Sequence, residues 1–388
     1  MDICVLNQFF YPYKGGTEKV LFEIYRRLAK RHNVTVITSA PIESKRNITE
    51  EIEGIKVLRL KSTHIDIPIS PLPFVSMDGL NGAIKKARCD LYHINNRYQY
   101  FGDSVAAIRG VGGKLALTIH NSLPMGIDPA IDSLGLVYDI TWGRALMHEA
   151  DLITGVSRSS IETTVPKRDI GKTHLVYNGV DYKLFRPIDR KNRGVRAVAK
   201  VLGNECELND ANVVTNGRLV DQKGQIYLIR AIANLVNEGY KLGLLTIGKG
   251  PLEGKLYSEA ESLGLKYRFW IRTGIEEKDL PYYYNFGDIF AIPSLYEPAG
   301  LVILEALACE LPSMASKTGG LPEMMDGYGL YAQPKDVEGM ADNLRYMLEN
   351  RKKMTAMAKK GRKFVAERHD WDRIAKKYEQ LFEGTLRY

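Results

Sequence analysis

A strand, a loop and a helix follow one another directly in residues 289–308, which read IFAIPSLYEPAGLVILEALA. The apolar run over 289–293 predicts a buried strand, and the helix is expected to begin just after Pro298. Because proline disfavours helical backbone at the residue before it, we expect Glu297 to lie in an extended loop. Glu305 then lies inside an apolar helix, where a charged group needs a partner.

The alternation of strand and helix extends outward from this stretch over the whole chain. Further strands are predicted over residues 3–6, 33–38, 55–60, 90–94, 114–120, 151–156, 213–218 and 242–248. Helices are predicted over about 18–30 and 225–238, where apolar residues recur at helical spacing. Such alternation is typical of parallel sheets with helices on both faces, so the sequence predicts an α/β protein.

A polar, weakly patterned stretch separates two series of strands and helices. It follows Pro187 and continues to about Asp210, so we expect a domain boundary there. Two successive α/β series of similar size predict two Rossmann-like domains that face each other. Ligands of such sheets bind beyond the carboxyl ends of the strands, so the cleft between the domains is the expected site.

The composition is that of an ordinary globular protein, since 45% of the 388 residues are hydrophobic and 26% are charged. No apolar run approaches the roughly 18 residues that span a bilayer, and the N-terminus does not resemble a signal peptide, so cytoplasmic residence is expected. None of the four cysteines belongs to a C-x-x-C pair, which argues against a zinc ribbon or a redox motif. No spacing of ligand residues suggests a metal site.

The net charge of +8 is compatible with anionic partners. One basic cluster, in residues 351–363, contains no acidic residue. We favour a solvated helix face for it, with contact to anionic lipid head groups as the alternative. No nucleic-acid-binding motif accompanies the charge, so a nucleic-acid partner is not expected.

The spacing of Glu297 and Glu305 is unlike that of the acid and base of a glycosidase. If all residues between them were helical, the two would lie about 12 Å apart along the axis. Paired glycosidase carboxylates stand roughly 5–9.5 Å apart on the two sides of one sugar carbon. The spacing therefore suits two groups that touch different parts of one long ligand, and the amides at the helix start suit a phosphate. The alternative is a surface Glu297 and a helix-face Glu305.

Gly217, Arg218 and Lys223 form a second candidate group. Arg218 stands where a strand is predicted to end, and Lys223 lies at the start of the next helix. Two cations beside free helix amides can hold a diphosphate leaving group in place of a metal ion. Arginine offers a planar fork and lysine a point charge. The alternative is a pair of solvated surface cations.

Two glycine-rich turns follow predicted strands. Gly15 and Gly16 precede the first helix and present backbone to a phosphate or sugar, with a turn capped by Thr17 as the alternative. Gly248 and Gly250 either let the backbone approach a ligand or allow a tight strand-to-helix turn.

His120 ends a predicted strand of the first domain, where its side chain would face the cleft. There it can hydrogen-bond a sugar or the reacting centre, whereas a structural histidine with satisfied hydrogen bonds is the alternative. His93 has the same placement with less support.

Taken in order, these motifs resemble family 4 of the retaining glycosyltransferases, and the resemblance covers nearly the whole chain. Its most specific part is the E-x7-E motif from Glu297 to Glu305, which continues into residues 317–323. The other matching motifs are Gly15-Gly16, Asn178-Gly179-Val180-Asp181, Gly217-Arg218 with Lys223, and Gly248-Lys249-Gly250-Pro251.

The resemblance implies the GT-B fold, which has two facing Rossmann-like domains, an inter-domain cleft and a C-terminal helix that crosses back to the first domain. The implied limits are 1–185 for the N-terminal acceptor-side domain, 186–368 for the C-terminal nucleotide-sugar-binding domain and 369–388 for the returning helix.

The resemblance also implies roles for the site residues. The implied catalytic residues are His120, Glu297, Arg218 and Lys223. The implied donor contacts are Gly15, Gly16, Gly217, Gly250, Thr273, Gly274, Ile275, Ala299, Gly300, Leu301 and Glu305. Glu297 would contact the sugar hydroxyls and Glu305 the ribose, while Arg218 and Lys223 would hold the diphosphate. His120 would lie near the sugar, and residues 273–275 would lie against the base. No metal ion or other cofactor is implied.

The implied reaction moves a sugar from a nucleoside diphosphate sugar to a hydroxyl acceptor, with retention of configuration through a front-face displacement. A UDP-sugar is favoured as donor over GDP-mannose, and the acceptor is a sugar, a lipid-linked glycan precursor or another small molecule. A sugar-nucleotide epimerase and a non-catalytic nucleotide-sugar binder are the alternatives.

Three residues depart from the family pattern. Ala299 stands where an aromatic residue is common, and Asn121 follows His120 where aspartate or a second histidine is frequent. Glu310 occupies a helix-end position usually held by glycine, which concerns the backbone rather than the chemistry.

Overall fold

The computed structural model describes residues 1–13, 15–65, 73–95, 102–121, 129–203, 206 and 209–387. The chain divides into two compact units. Unit 1 comprises Met1–Asn178 and Trp371–Tyr388, and unit 2 comprises Gly179–Asp370. The domain limits expected from the sequence, at residues 185 and 368, stay predictions.

Unit 1 alternates strands and helices from its first residues. Its strands are β1 (Asp2–Leu6), β2 (Asn33–Ser39), β3 (Ile48–Ile52), β4 (Ile55–Leu60), β5 (Ser62–Ile65), β6 (Phe74–Met77), β7 (Leu91–Ile94), β8 (Lys114–Ile119), β9 (Leu152–Gly155) and β10 (Thr173–Leu175). Its helices before residue 179 are α1 (Gly16–Leu28), α2 (Leu80–Ala87), α3 (Gly102–Gly110), α4 (Pro129–Tyr138), α5 (Arg144–Glu149) and α6 (Arg158–Thr164). A π-helical turn, Asp139–Gly143, joins α4 to α5.

The main sheet of unit 1 is parallel except at one edge. Its eight strands have the order β10-β9-β8-β7-β1-β2-β4-β3, and only β3 runs antiparallel to its neighbour. β5 and β6 form a separate antiparallel pair. The central strands are buried and apolar, as expected for a sheet covered by helices on both faces.

Unit 2 repeats the alternation. Its strands are β11 (Ala211–Asn216), β12 (Leu242–Ile247), β13 (Phe269–Arg272), β14 (Ile289–Ile292), β15 (Ser313–Ser316) and β16 (Leu330–Ala332). Its helices are α7 (Arg193–Leu202), α8 (Gln225–Asn237), α9 (Glu253–Ser262), α10 (Leu280–Phe286), α11 (Leu301–Ala308), α12 (Leu321–Met325), α13 (Val337–Glu349) and α14 (Arg351–Arg368).

The sheet of unit 2 has the doubly wound strand order of a Rossmann fold. Its six strands are all parallel and lie in the order β13-β12-β11-β14-β15-β16. The chain moves from β11 outward to β13 on one side and then returns to β14 on the other. The strand order therefore reverses between β11 and β14, and ligands of open α/β sheets bind at such a switch point, beyond the carboxyl ends of the strands.

The C-terminal helix α15 (Trp371–Leu386) packs in unit 1 rather than in unit 2. On α1, Arg27 Nε contacts Asp372 Oδ1 at 2.6 Å, and just beyond it Arg31 contacts Glu379 at 2.6 Å. Tyr378 is buried against the sheet. The return of the C-terminal helix to the first unit was expected from the sequence, as was the α/β class with its parallel sheets.

None of the helices in the described part of the chain has both the length and the apolar character that crossing a bilayer requires.

Candidate active site

Two oppositely charged side chains meet at the switch point of unit 2. Lys223 lies in a 3₁₀ turn, Asp221–Lys223, between β11 and α8, and Glu297 lies in the loop between β14 and α11. Lys223 Nζ donates to Glu297 Oε2, and Ser294 Oγ lies 3.4 Å from the same oxygen. The Glu297 side chain is mostly buried. The candidate cation and the candidate sugar-binding carboxylate therefore belong to one site.

Lys223 packs against Gly217. A Cβ placed on Gly217 would lie 3.4 Å from Lys223 Cδ, so the aliphatic part of the lysine runs over the glycine. The stem of Lys223 thus packs on Gly217 while its ammonium group reaches Glu297.

Arg218 contrasts with Lys223 because its side chain is exposed. Its carbonyl oxygen accepts from Gln225 Nε2 at 2.9 Å, which fixes the backbone. Among the residues that the structure describes, no carboxylate forms an ion pair with the Arg218 guanidinium. The backbone of Arg218 is therefore fixed while its guanidinium is exposed, and such a cation can bind an anionic ligand.

Hydrogen bonds join the loops around the switch point into one platform. Leu295 N donates to Gln222 O at 2.8 Å, and Gln222 Nε2 donates to Tyr296 O at 3.1 Å. From the loop after β15, Gly320 N donates to Glu297 O at 2.9 Å. Two neighbouring loops thus hold the backbone around Glu297 in place, and such positioning is what a binding carboxylate requires.

The second glycine-rich turn packs on the loop that carries Gly217 and Arg218. Gly248 has a positive φ of 151°, and a Cβ there would collide with the carbonyl oxygen of Gly217. A Cβ on Gly250 would collide with the carbonyl oxygen of Leu219. These glycines therefore allow two loops to touch closely, a role that differs from the two predicted ones, approach to a ligand and a tight strand-to-helix turn. A donor contact for Gly250 stays a prediction.

Glu305 has a buried partner that the sequence did not identify. Tyr284 Oη, from α10, donates to Glu305 Oε2 at 2.7 Å, and Asn216 Nδ2 donates to Tyr284 Oη at 3.1 Å. Burial, with the neighbouring Glu305 charge, raises the pKa of Tyr284, so its phenol stays protonated and donates. The expectation that a charged group in this apolar helix needs a partner is confirmed, and Asn216 connects that partner to the end of β11.

The start of α11 differs slightly from expectation. The helix begins at Leu301 rather than just after Pro298, because Gly300 takes a positive φ of 64° and precedes the first turn. Ala299 is buried and Leu301 is half-buried. The amides of the first turn of a helix lack intrahelical partners and suit an anion.

Residues 273–275 lie beyond the carboxyl end of β13, an edge strand of the same sheet. Thr273 and Gly274 are exposed, and Ile275 is half-buried. The predicted base contacts thus lie on the same edge of the sheet as Lys223 and Glu297, and their role stays a prediction.

In unit 1, Gly15 precedes α1, which begins at Gly16. The alternative in which Thr17 caps the helix is wrong, because Thr17 lies inside the first turn. A Cβ on Gly15 would collide with the Glu18 carboxylate, which therefore lies over the helix start. A carboxylate there stabilises a helix N-terminus, so a phosphate contacting Gly15 or Gly16 would share this end with Glu18.

His120 follows β8 and is half-buried. Its Nε2 donates to Asn95 Oδ1 at 3.2 Å in the arrangement where the Asn95 amide nitrogen donates to His93 O. Burial lowers the pKa of His120 to about 4, so the imidazole is neutral at pH 7. Its catalytic role stays a prediction.

His93 does not share the placement of His120, although the sequence suggested it. Its Nδ1 contacts Tyr25 Oη on α1, and its Nε2 lies 2.6 Å from Thr118 Oγ1 on β8. Since side chains alternate along a strand, His93 points into the layer between the sheet and its helices. Burial lowers its pKa to about 3, and the residue is structural.

Comparisons with known proteins agree with this architecture. The family described as Glycosyltransferase Family 4 matches residues 14–184, and the family described as Glycosyl transferases group 1 matches residues 204–364. Among solved structures, Anabaena HepE in complex with UDP and glucose has a TM-score of 0.77 at 20% identity, covering 99% of each chain.

Two curated relatives illustrate the range of sequences that this chain resembles. The N-acetyl-alpha-D-glucosaminyl L-malate synthase of Bacillus anthracis is 24% identical over 97% of this chain and 96% of its own length. A GDP-mannose-dependent alpha-(1-6)-phosphatidylinositol monomannoside mannosyltransferase of Mycolicibacterium smegmatis is 32% identical over 62% of this chain and 64% of its own length.

Two units with parallel sheets, together with the likeness to HepE over 99% of each chain, show the GT-B fold. The chain belongs to family 4 of the glycosyltransferases, since the two family matches together span nearly its whole length. It is therefore a glycosyltransferase.

Proposed function

We propose that this chain is a retaining glycosyltransferase that binds its nucleoside diphosphate sugar at the switch point of unit 2 and transfers the sugar to a hydroxyl acceptor. The observation that carries the proposal is the contact between Lys223 and Glu297, together with the exposed Arg218, which has no ion pair within the described residues. The three side chains supply two cations for a diphosphate and one carboxylate for sugar hydroxyls.

Arg218 and Lys223 would hold the diphosphate. The planar guanidinium can bind two phosphate oxygens at once, and the lysine supplies a point charge. Lys223 contacts Glu297, so its ammonium group would offset the repulsion between the anionic phosphate and the Glu297 carboxylate. The two cations neutralise the charge that develops on the leaving group, so the proposal includes no metal ion or other cofactor.

Glu297 and Glu305 would bind different ends of the donor. Glu297 would accept hydrogen bonds from the sugar hydroxyls, and Glu305 would accept them from the ribose, with Tyr284 fixing the Glu305 carboxylate. Backbone and small side chains would complete the donor site, at Gly15, Gly16, Gly217, Gly250, Thr273, Gly274, Ile275, Ala299, Gly300 and Leu301.

In the proposed reaction the acceptor oxygen bonds to the anomeric carbon on the face from which the diphosphate departs. The bond between that carbon and the phosphate oxygen breaks, and the acceptor proton passes to a phosphate oxygen. His120 would lie near the sugar as a neutral hydrogen-bonding group, because its pKa of about 4 makes it a weak base at pH 7. Positioning and charge stabilisation would supply most of the rate.

The proposed donor is a UDP-sugar, with GDP-mannose next. Support for UDP comes from the HepE structure, which contains UDP and glucose, while the mycobacterial relative is GDP-mannose-dependent by its name. The acceptor is a sugar, a lipid-linked glycan precursor or another small molecule.

We further predict that the enzyme is cytoplasmic and that α14 makes peripheral contact with anionic lipid. The exposed cations on this helix are Arg351, Lys352, Lys353, Lys359, Lys360, Lys363 and Arg368. A solvated helix face, which the sequence favours, is the competing interpretation of the same cations.

A donor screen tests the proposed reaction. The purified chain is incubated with each of several UDP- and GDP-sugars and a mixture of sugar and lipid-linked acceptors, and products are detected by mass spectrometry. We expect a glycoside whose anomeric configuration, read by NMR, matches that of the donor. An inverted product contradicts retention. An epimerised nucleotide sugar formed without any acceptor contradicts the transferase reaction.

A further inference from the structure

Three side chains that can ligate a metal ion meet where the C-terminal helix packs on α1. His32 lies in the turn after α1, and Glu379 and Glu383 lie on α15. One nitrogen of the histidine and one oxygen of each carboxylate all lie within 4.8 Å of one another. No other group of three or more such ligand atoms comes as close together in the part of the chain that the structure describes. We call these three residues the His-Glu cluster.

Two members of the His-Glu cluster come from one helix, and the third comes from a distant part of the sequence. Glu379 and Glu383 stand at positions i and i+4 of α15, so they lie on the same face of the helix. His32 and Glu379 are separated by 347 residues. The spacing of the sequence therefore gives no sign of the cluster, which forms only because α15 returns to unit 1.

The contacts of Glu379 leave one of its oxygens directed at the histidine. His32 Nε2 lies 2.6 Å from Glu379 Oε1, and both side chains are only 9% exposed. Arg31 contacts the other oxygen, Glu379 Oε2, at 2.6 Å. Carboxylates that ligate a metal are themselves commonly held by hydrogen bonds in this way. Arg31 therefore fixes the orientation of a carboxylate whose Oε1 is free to meet an ion.

Glu383 is the member of the cluster without a partner. Its side chain is half-buried, and it forms neither an ion pair nor a hydrogen bond within the described residues. Like charges at positions i and i+4 destabilise a helix, and Arg31 pairs with Glu379 instead. A divalent cation bound by both carboxylates would neutralise the charge that is left on Glu383.

The helix ends around the cluster also favour a cation. α1 ends at Leu28, four residues before His32, and α15 ends at Leu386, three residues after Glu383. The carboxyl end of a helix carries the negative end of its dipole. Both helices therefore contribute a field that attracts positive charge to this place.

We propose that His32, Glu379 and Glu383 bind one Zn²⁺ ion, which fastens α15 to the end of α1. Zinc accepts imidazole nitrogen together with carboxylate oxygen, and water would complete its coordination. Bonds of about 2.0–2.2 Å keep two ligand atoms of one ion within about 4.3 Å of each other. The three ligand atoms already lie within 4.8 Å, so small side-chain rotations suffice to bring them to one ion.

The histidine decides which class of metal fits the cluster. Mg²⁺ and Ca²⁺ prefer oxygen ligands and would leave the imidazole of His32 unused, whereas imidazole suits zinc. The proposal does not depend on the donor site or on the transfer reaction, because all three residues lie in unit 1.

Isothermal titration with ZnCl₂ tests the site. The chain is first treated with a chelator and is titrated without nucleotide, and MgCl₂ serves as the comparison. We expect one saturable Zn²⁺ site per chain and no comparable site for Mg²⁺. Glu383→Gln and His32→Gln should each raise the dissociation constant for Zn²⁺ at least about tenfold, since each removes one of three ligands.

The matched controls change the same residue types elsewhere in unit 1. Glu51→Gln replaces an exposed glutamate on β3, and His174→Gln replaces an exposed histidine on β10. Both should bind Zn²⁺ as the wild type does. Equal affinity in the wild type, the two cluster variants and the two controls would show adventitious binding only and would overturn the proposal. A wild type without saturable binding would overturn it as well.

The melting temperature separates loss of the metal from loss of folding. Because Glu383 has no partner within the described residues, Glu383→Gln should melt like the wild type in the absence of metal. His32→Gln removes the contact with Glu379 and should melt at a lower temperature. Saturating Zn²⁺ should raise the melting temperature of the wild type, because a ligand that binds only the folded chain stabilises it. An equal rise in Glu383→Gln would contradict the assignment.

Hydrogen exchange locates the effect of the metal. Zn²⁺ should slow the exchange of backbone amides in residues 376–386 of α15 in the wild type, and it should not do so in Glu383→Gln. Protection confined to unit 2 would mean that zinc binds elsewhere, and the proposal would then fail.

Discussion

The two units each gather polar side chains beside a parallel sheet, but the two groups differ in how completely they satisfy one another. In unit 1, His93 contacts Tyr25 and Thr118, and Thr118 Oγ1 lies 2.6 Å from Thr154 Oγ1 and 3.4 Å from Tyr378 Oη. All five side chains are buried. We call this group the closed cluster.

The group at the switch point of unit 2, which consists of Lys223, Glu297 and Arg218, satisfies its own charges less completely. We call it the open group. Lys223 and Glu297 pair with each other, while Arg218 is exposed and has no ion pair within the described residues. Buried polar side chains whose donors and acceptors pair with one another stabilise the fold. A cluster that contains a charged side chain without an ion-pair partner can instead bind a charged ligand. The comparison therefore predicts that variants of the closed cluster change stability and that variants of the open group change catalysis.

The largest effect is expected from Glu297→Gln. The amide keeps the shape of the side chain but removes the negative charge. That charge pairs with Lys223 and would accept hydrogen bonds from the sugar hydroxyls. We expect kcat/KM to fall by about 10²-fold or more, measured as nucleotide release with the donor that the screen identifies.

The matched control for this change is Glu261→Gln. Glu261 pairs with Lys266 at 2.5 Å on the surface of the same unit, so its loss breaks a lysine–glutamate pair without touching the open group. Its activity should equal that of the wild type. If Glu297→Gln and Glu261→Gln had the same kcat/KM, the open group would not be catalytic.

A smaller effect, on stability alone, is expected from Thr118→Val in the closed cluster. Valine has nearly the same shape, but it leaves His93 Nε2 and Thr154 Oγ1 without the hydroxyl between them. Losing a buried hydrogen-bond partner costs about 1–3 kcal/mol, which chemical denaturation measures. Nucleotide affinity should not change, and a tenfold loss of affinity in this variant would remove the distinction between the two groups.

The closed cluster also predicts a dependence of stability on pH. Burial lowers the pKa of His93 from 6.5 to about 3, so between these values the unfolded chain binds the extra proton. The contribution is fully present above pH 6.5 and is lost as the pH falls toward 3. Between pH 6.5 and 5.5 the free energy of unfolding should fall by roughly 1 kcal/mol from this residue. Denaturation of His93→Gln over the same range should show a shallower slope, and an unchanged slope would contradict the assignment.

The smallest effect is expected at Glu310, which belongs to neither group. Its φ is +57°, a backbone conformation that glycine adopts without strain, and its contact with Arg362 is a weak 3.9 Å. Glu310→Gly should therefore raise the free energy of unfolding by up to about 1 kcal/mol and leave activity unchanged. A clear loss of stability on denaturation would mean that the Arg362 contact outweighs the backbone strain.

Much of the fold could be predicted because it depends on local patterns. The strands β1, β2, β4, β11, β12 and β14 were predicted from short apolar runs, and α1 and α8 from helical spacing. The position of Glu305 in a buried helix was likewise readable, since its neighbours in sequence are apolar. These features need only residues that are close along the chain.

The features that could not be predicted depend on contacts between distant residues. Tyr284 is the partner of Glu305, yet nothing in the sequence around α10 distinguishes it from other tyrosines. His93 and His120 both stand near the ends of strands, and only the packing of α1 and α15 places one in the core. The helix start at Gly16 was missed because Thr17 is a good capping residue by type, while the Glu18 carboxylate lies over Gly15 instead.

The central claim is that the open group binds a nucleoside diphosphate, and isothermal titration with UDP and GDP tests it most directly. Arg218→Ala and Lys223→Ala should each raise the dissociation constant at least about tenfold, because each removes a charge-assisted contact to phosphate. Thr118→Val, in the closed cluster, should bind as the wild type does. Unchanged nucleotide affinity in both Arg218→Ala and Lys223→Ala would contradict the account.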